Sequence, residues 1–104
     1  MNSKDFTSID KIHSFSIVIL EDTAYFEIKN VDPSKYKTFL LLLKSGFTHM
    51  KTNNVKYVKL HINPEDKELF KKSIIIEENN TSVVKIEIDN FLFEICDAIG
   101  MHRL

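Results

Sequence analysis

Glycine is scarce in this sequence, with only Gly46 and Gly100 among 104 residues. A phosphate-cradling loop converges backbone N–H groups on an anion, which takes closely spaced glycines between a strand and a helix. Neither glycine lies in such a place, so no nucleotide or coenzyme A phosphate site is expected, and no cofactor. Cys96 is the only cysteine, which excludes an internal disulfide and fits a reducing compartment. Within Phe93-Glu94-Ile95-Cys96 it reads as a small buried hydrophobe, with a thiol nucleophile as the rival reading. Charge of one sign is not in excess: 14 Lys and Arg face 15 Asp and Glu, a net −1. Phosphate binding usually leaves a surplus of Lys and Arg, so nucleic acid is not the expected ligand. Long apolar runs are also missing. Phe15 to Leu20 is too short for a signal core or a membrane span, so no membrane partner is expected and the cytoplasm is the expected location. His13, His49, His61 and His102 stand far apart, and Cys96 with His102 lacks a third ligand nearby, so no metal site is expected.

What remains is an ordinary globular composition, 43% hydrophobic and 28% charged, in a chain of one-domain length. Residues 1–12 are polar with scattered Phe6 and Ile9 and read as a loose N-terminal arm; residues 13–104 read as a single α/β domain. Ser14 to Glu21 and Ala24 to Lys29 are two β-rich segments around Glu21-Asp22-Thr23, a hairpin without the usual turn glycine. Asp32-Pro33 starts a helix to about Met50, with Asp as cap and Pro where no N–H is needed. Tyr36, Phe39, Leu40, Leu43, Phe47 and Met50 line its core face. Val58, Leu60 and Ile62 alternate with Lys59 and His61 as a half-buried strand should. Asn63-Pro64-Glu65-Asp66 starts a second helix through Lys72. Strands follow at Ser73 to Glu77 and Val83 to Ile88. Asp89 then caps a C-terminal helix that places Phe91, Ile95 and Ile99 on one side, although Phe91 to Ile95 would also suit a strand. The expected fold class is α+β, with order β-β-α-β-α-β-β and a mixed, mostly antiparallel sheet carrying two main helices.

No catalytic constellation stands out. Glu27 and Asp22 could pair, but Glu27 alternates with Phe26 and Ile28 like the polar face of a strand. The first helix offers a contact surface instead. Its core stripe leaves Leu41 and Leu42 on the flank and outer face, near Lys35, Thr38, Ser45 and His49.

From the hairpin to the second helix the chain resembles the ornithine decarboxylase antizymes. The residues that carry this are Thr23-Ala24-Tyr25-Phe26-Glu27-Ile28, then Ser34-Lys35 and Phe39 opening the Leu40 to Leu43 helix. Val55 to Ile62 with its histidine and Glu65-Asp66 at the next helix start complete the order. The resemblance implies an acetyltransferase-like fold of the Gcn5 type without acetyl-CoA binding, and a protein that inhibits rather than catalyses. It implies capture of ornithine decarboxylase monomers, loss of the active homodimer and proteasomal degradation, lowering polyamine synthesis, with expression by ribosomal frameshifting. No small-molecule substrate follows from it. The implied contact residues are Lys35, Thr38, Leu41, Leu42, Lys44, Ser45, Thr48 and His49, with Glu65 and Glu68 of the second helix. The family's acidic positions on the first helix fall at Lys44, Phe47 and Thr48 here, and none is acidic. Another implied use of the fold is as a binding module for a different complex, such as the ribosome.

Overall fold

A computed structural model of the chain describes residues 2–62, 74–78 and 81–98. The strands are β1 (Asn2–Thr7), β2 (Ser14–Leu20), β3 (Thr23–Asn30), β4 (Tyr57–Ile62), β5 (Ile74–Glu78) and β6 (Thr81–Glu87); the helices are α1 (Tyr36–Thr52) and α2 (Phe91–Ala98). They form a six-stranded sheet in the order β1-β2-β3-β4-β6-β5. Every neighbouring pair is antiparallel except β3 and β4, which are parallel and joined by the crossover through α1. The fold is therefore α+β with a mixed, mostly antiparallel sheet. The expected helix from Asn63 to Lys72 lies outside the described residues.

Alternation builds the sheet. Phe15, Ile17 and Ile19 of β2, Ala24 and Phe26 of β3, Val58 and Leu60 of β4, and Val84 and Ile86 of β6 are all buried and belong to one core. A chain of rings crosses that face: Phe6 to Phe15 at 5.1 Å, Phe15 to Phe26 at 4.6 Å and Phe26 to Phe91 at 5.2 Å between centroids. Each buried Phe contributes about 1.5–3 kcal/mol by removal from water, and each ring pair about 0.5–1.5 kcal/mol more. The helices α1 and α2 meet each other and cover this same face.

Several expectations are corrected. The first residues are not a loose arm, because β1 pairs with β2 from Asn2↔Ile19 to Thr7↔Ser14 and buries Phe6. A single apolar side chain is enough here because the backbone ladder supplies the rest of the order. The hairpin turn between β2 and β3 does without glycine by holding Glu21 at φ 58°, a left-handed conformation that costs a side-chain-bearing residue about 1–2 kcal/mol. The carbonyl of Asp22 in that turn accepts the N–H groups of Lys56 and Tyr57, which ties the hairpin to the start of β4. Asp32 caps a 3₁₀ turn, Pro33–Lys35, and α1 proper begins at Tyr36. The C-terminal segment is the expected helix rather than a strand, and the difference is that Asp89 lies within a 3₁₀ turn, Ile88–Asn90, that precedes it.

The helix α1 lies unusually close to the sheet at one point. A Cβ on Gly46 would stand 2.9 Å from Cε1 of Phe15 and 3.2 Å from Cδ1 of Ile17. Phe15 is 1% exposed and held between Phe6 and Phe26, so it has no room to retreat. Overpacking of this kind costs about 1–3 kcal/mol, against roughly 1 kcal/mol gained by replacing a helical glycine. Gly46→Ala is expected to lower the urea midpoint, with net loss of about 1 kcal/mol; an unchanged or raised midpoint would mean that the approach is looser than described.

Candidate active site

The parallel pair is the most open part of the sheet. The pairing of β3 with β4 covers Thr23↔Tyr57, Ala24↔Val58 and Tyr25↔Lys59, and no further pair joins them among the described residues. Both strands nevertheless run on, β3 to Asn30 and β4 to Ile62, each still paired on its other side, with β2 and β6 respectively. Beyond Tyr25 and Lys59 the facing backbone groups of the two strands are thus released from each other. This opening lies at the carboxyl ends of two parallel strands, where the direction of pairing changes, which is where open α/β sheets place ligands.

Period-two alternation decides what lines it. Phe26 and Leu60 point into the core and are buried. Glu27 and His61 are the next residues on the other face, one on each strand past the last pair, and both are exposed. A carboxylate and an imidazole on either side of a cleft can hold an ammonium group and accept a proton from it. Neither was singled out by spacing, because 33 intervening positions separate them and only the β3–β4 adjacency brings them to one opening.

The start of α1 sits at the same end of the sheet and is held by the β1–β2 loop. His13 is fully buried; its Nδ1 accepts the Asp32 N–H at 3.2 Å, so the proton on Nε2 is donated to the Lys35 carbonyl at 3.0 Å. Its ring packs on Phe39 at 5.2 Å. Asp10 accepts from the hydroxyls of Ser8 and Thr38 and from the Ile12 N–H, and these bonds lower its carboxyl from 3.8 to about 2. Hydrogen bonds from the Ser34 hydroxyl and N–H hold Asp32 below the usual carboxylate range as well. Asp10, Ser34, Lys35, Tyr36, Lys37 and Thr38 line an open depression of about 460 Å³ beside this turn.

That helix start does not fit the diphosphate of coenzyme A. Such an anion needs free backbone N–H groups. The Asp32 N–H goes to His13, Pro33 has none, the Ser34 N–H goes to the Asp32 carboxylate and the Lys35 N–H to the Asp32 carbonyl. The two carboxylates add negative charge, and the lysines offer point charges but no cradle. Among the described residues, no three His, Cys, Asp or Glu side chains gather as a metal site requires.

The residues expected from the sequence as a contact surface are spread along α1. Lys35, Lys44, Ser45 and Thr48 are exposed, and Leu41 is 62% exposed. The Ser45 hydroxyl bonds back to the Leu41 carbonyl and the Thr38 hydroxyl is spent on Asp10. Leu42 is a correction: at 9% exposure it belongs to the core, since the buried arc of the helix is wide enough to take in both Leu42 and Gly46. His49 is half-buried against Phe6, with Nε2 enclosed and unbonded. Glu65 and Glu68 lie outside the described residues. Cys96 is buried, as its apolar surroundings suggest.

Comparison with known proteins places these features in context. No protein-family model matches the chain, and no curated protein matches it in sequence. Solved structures do match in fold. A point mutant of the spermidine N-acetyltransferase SpeG from Vibrio cholerae superposes with a TM-score of 0.58 at 16% identity, over 86% of this chain and 67% of that one. Mutant forms of the spermidine/spermine N-acetyltransferase SpeG from the same organism give 0.54 at 16% identity, over 88% and 70%. The enzyme from that organism in complex with CoA and spermine gives 0.51 at 17% identity, over 86% and 68%. The chain therefore has the acetyltransferase fold.

These neighbours overturn the antizyme resemblance. They are enzymes, and one is bound to CoA and spermine, so decarboxylase capture, proteasomal degradation, a purely inhibitory role and the lack of a small-molecule substrate do not stand. The ribosome-binding use of the fold has no support among them either. The antizyme match rested on the order of elements, which an acetyltransferase-like fold produces in either family, while the acidic residues that mark the antizyme helix were absent. Among the described residues no helix is long and apolar enough to cross a membrane.

The electrostatics of the docked loop can be checked by titration. Asp10 is depressed in the fold, so its stabilising share is complete above pH 3.8 and is lost as pH falls toward about 2. Asp10→Asn is expected to be less stable at pH 6 and to show a flatter acid limb across that window in thermal melts. Burial, and then the charge of Lys4, lowers the pKa of His49 below 6.5. Protonating it therefore weakens the fold as pH drops below 6.5, and His49→Leu is expected to reduce the loss of midpoint between pH 7 and pH 5. An identical pH profile in either variant would remove the corresponding assignment.

Proposed function

We propose that this protein is an amine N-acetyltransferase of the polyamine-modifying kind, taking a primary amine of a polycation such as spermidine at the β3–β4 opening. It would act in the cytoplasm as one α/β domain that includes β1. The observation that carries this reading is the end of β3–β4 pairing after Tyr25 and Lys59, with Glu27 and His61 flanking the gap on one face. The fold likeness to spermidine N-acetyltransferases supports the choice of amine.

The chemistry asked of the chain is limited and specific. A polyamine is protonated at neutral pH, and an ammonium nitrogen has no lone pair with which to attack a carbonyl. Glu27 attracts and orients the ammonium through a charge-assisted hydrogen bond. His61, across the opening, accepts the proton that must leave before the nitrogen is nucleophilic. The released backbone groups of the two strands offer donors and acceptors to whatever enters between them. No such donors are free from Asp32 to Lys35.

The test is product formation. The chain incubated with spermidine and acetyl-CoA is expected to yield N-acetylspermidine by mass spectrometry. Glu27→Gln should weaken spermidine binding about tenfold, equivalent to ~1.4 kcal/mol, and His61→Gln should lower turnover with binding little changed. No acetylated product, together with no spermidine binding at millimolar concentration, would overturn the proposal.

A further inference from the structure

On the sheet face opposite the helices, Lys59 of β4 and Lys85 of β6 stand directly across from each other in register. Both are half-buried, and neither makes an ion pair with any described residue. Like charges at opposed positions of an antiparallel pair repel, and a sheet normally avoids them. Here each ammonium is placed over a tyrosine ring instead: Lys85 Nζ lies 4.2 Å from the Tyr57 centroid and Lys59 Nζ lies 5.9 Å from that of Tyr25. The four side chains form a continuous patch across β3, β4 and β6, since Tyr25 is the register partner of Lys59 and Tyr57 precedes it by one same-face step.

We propose that this patch is a binding site for a soluble phosphate ester, with its anion between Lys59 and Lys85. Cation–π contacts hold each lysine without neutralising it, so the pair keeps both positive charges and at least one free donor direction each. An anion placed between them converts a repulsion into two attractions. The rings of Tyr25 and Tyr57 flank the same spot and offer apolar and stacking surface to the organic part of the ester. The carboxylates beside the patch on this face are Glu27 on β3 and Glu87 on β6. Glu27 is one same-face step along β3 from Tyr25, about 7 Å away, and Glu87 stands directly across from Tyr57 in register. They bound the site to a compact anion and disfavour a long polyanion such as nucleic acid, in keeping with the net charge of −1. The site is distinct from the start of α1, where backbone donors are already used, and it stands whether or not the chain acetylates amines.

The probe is inorganic pyrophosphate, titrated into the isotope-labelled full chain at low ionic strength and followed by amide and lysine side-chain NMR shifts. Saturable shifts confined to Tyr25, Tyr57, Lys59, Lys85 and their immediate neighbours are expected, with a ligand-dependent rise in thermal midpoint. Both effects should fall at least tenfold in the Lys59→Gln/Lys85→Gln variant, whose fold is checked by an otherwise unchanged spectrum, and persist in Lys51→Gln as a control. Shifts that do not saturate, shifts centred on Lys35 and Lys37, or equal binding by the double variant would each overturn the assignment. If the double variant does not fold, Lys85→Arg supplies the second arm: it retains charge and should retain binding, whereas Lys85→Met should lose it.

Discussion

The contact between Gly46 and Phe15 sets the geometry of the whole molecule. The parallel neighbours β3 and β4 can exist only if the chain crosses from one to the other over the sheet, and α1 is that crossing. It must lie close enough to bury Phe39, Leu42, Leu43 and Met50, and the missing side chain at Gly46 is what allows the approach. The ring chain from Phe6 to Phe91 then fills the space on either side, so β1 and α2 are fastened to the same contact. The same crossing creates the opening, because two parallel strands joined by a helix need not stay paired along their whole length.

The loop that leads into α1 shows how local chemistry limits function. His13, Asp10, Ser8 and Asp32 consume the hydrogen-bonding capacity of the helix start from within. This gives a firmly docked helix whose backbone donors from Asp32 to Lys35 are already used, a place well suited to stability and poorly suited to an anion. The groups proposed to meet ligands lie past the end of β3–β4 pairing and on the sheet face opposite α1 and α2.

Much of the fold was legible in the sequence. The alternation of Phe15, Ile17 and Ile19, of Val58 and Leu60, and of Val84 and Ile86 reveals strands, and the Asp32-Pro33 step marks the region where α1 begins. The strand β1 was not legible, because Asn2 to Thr7 carries one buried apolar residue and is ordered by backbone pairing rather than by pattern. The burial of Leu42 was missed because a helical wheel assumes side chains of similar size, and Gly46 lets the sheet reach further round the helix. The roles of Asp10 and His13 depend on a loop folding back across 20 to 30 positions, for which an isolated polar residue gives no signal. Glu27 and His61 were visible as residues but not as a pair, since strand order rather than spacing brings them together. The functional reading went astray for a related reason: element order is a property of a fold, and a fold is shared among proteins with different work to do.

Where a polyamine binds tests the central claim most directly. Spermidine titrated into the isotope-labelled chain should move the amide resonances of residues 25–30 and 59–62 saturably while leaving the outer face of α1, from Leu41 to Thr48, unchanged. Shifts concentrated on that helix face, or no shift anywhere at millimolar spermidine, would contradict a functional opening between β3 and β4.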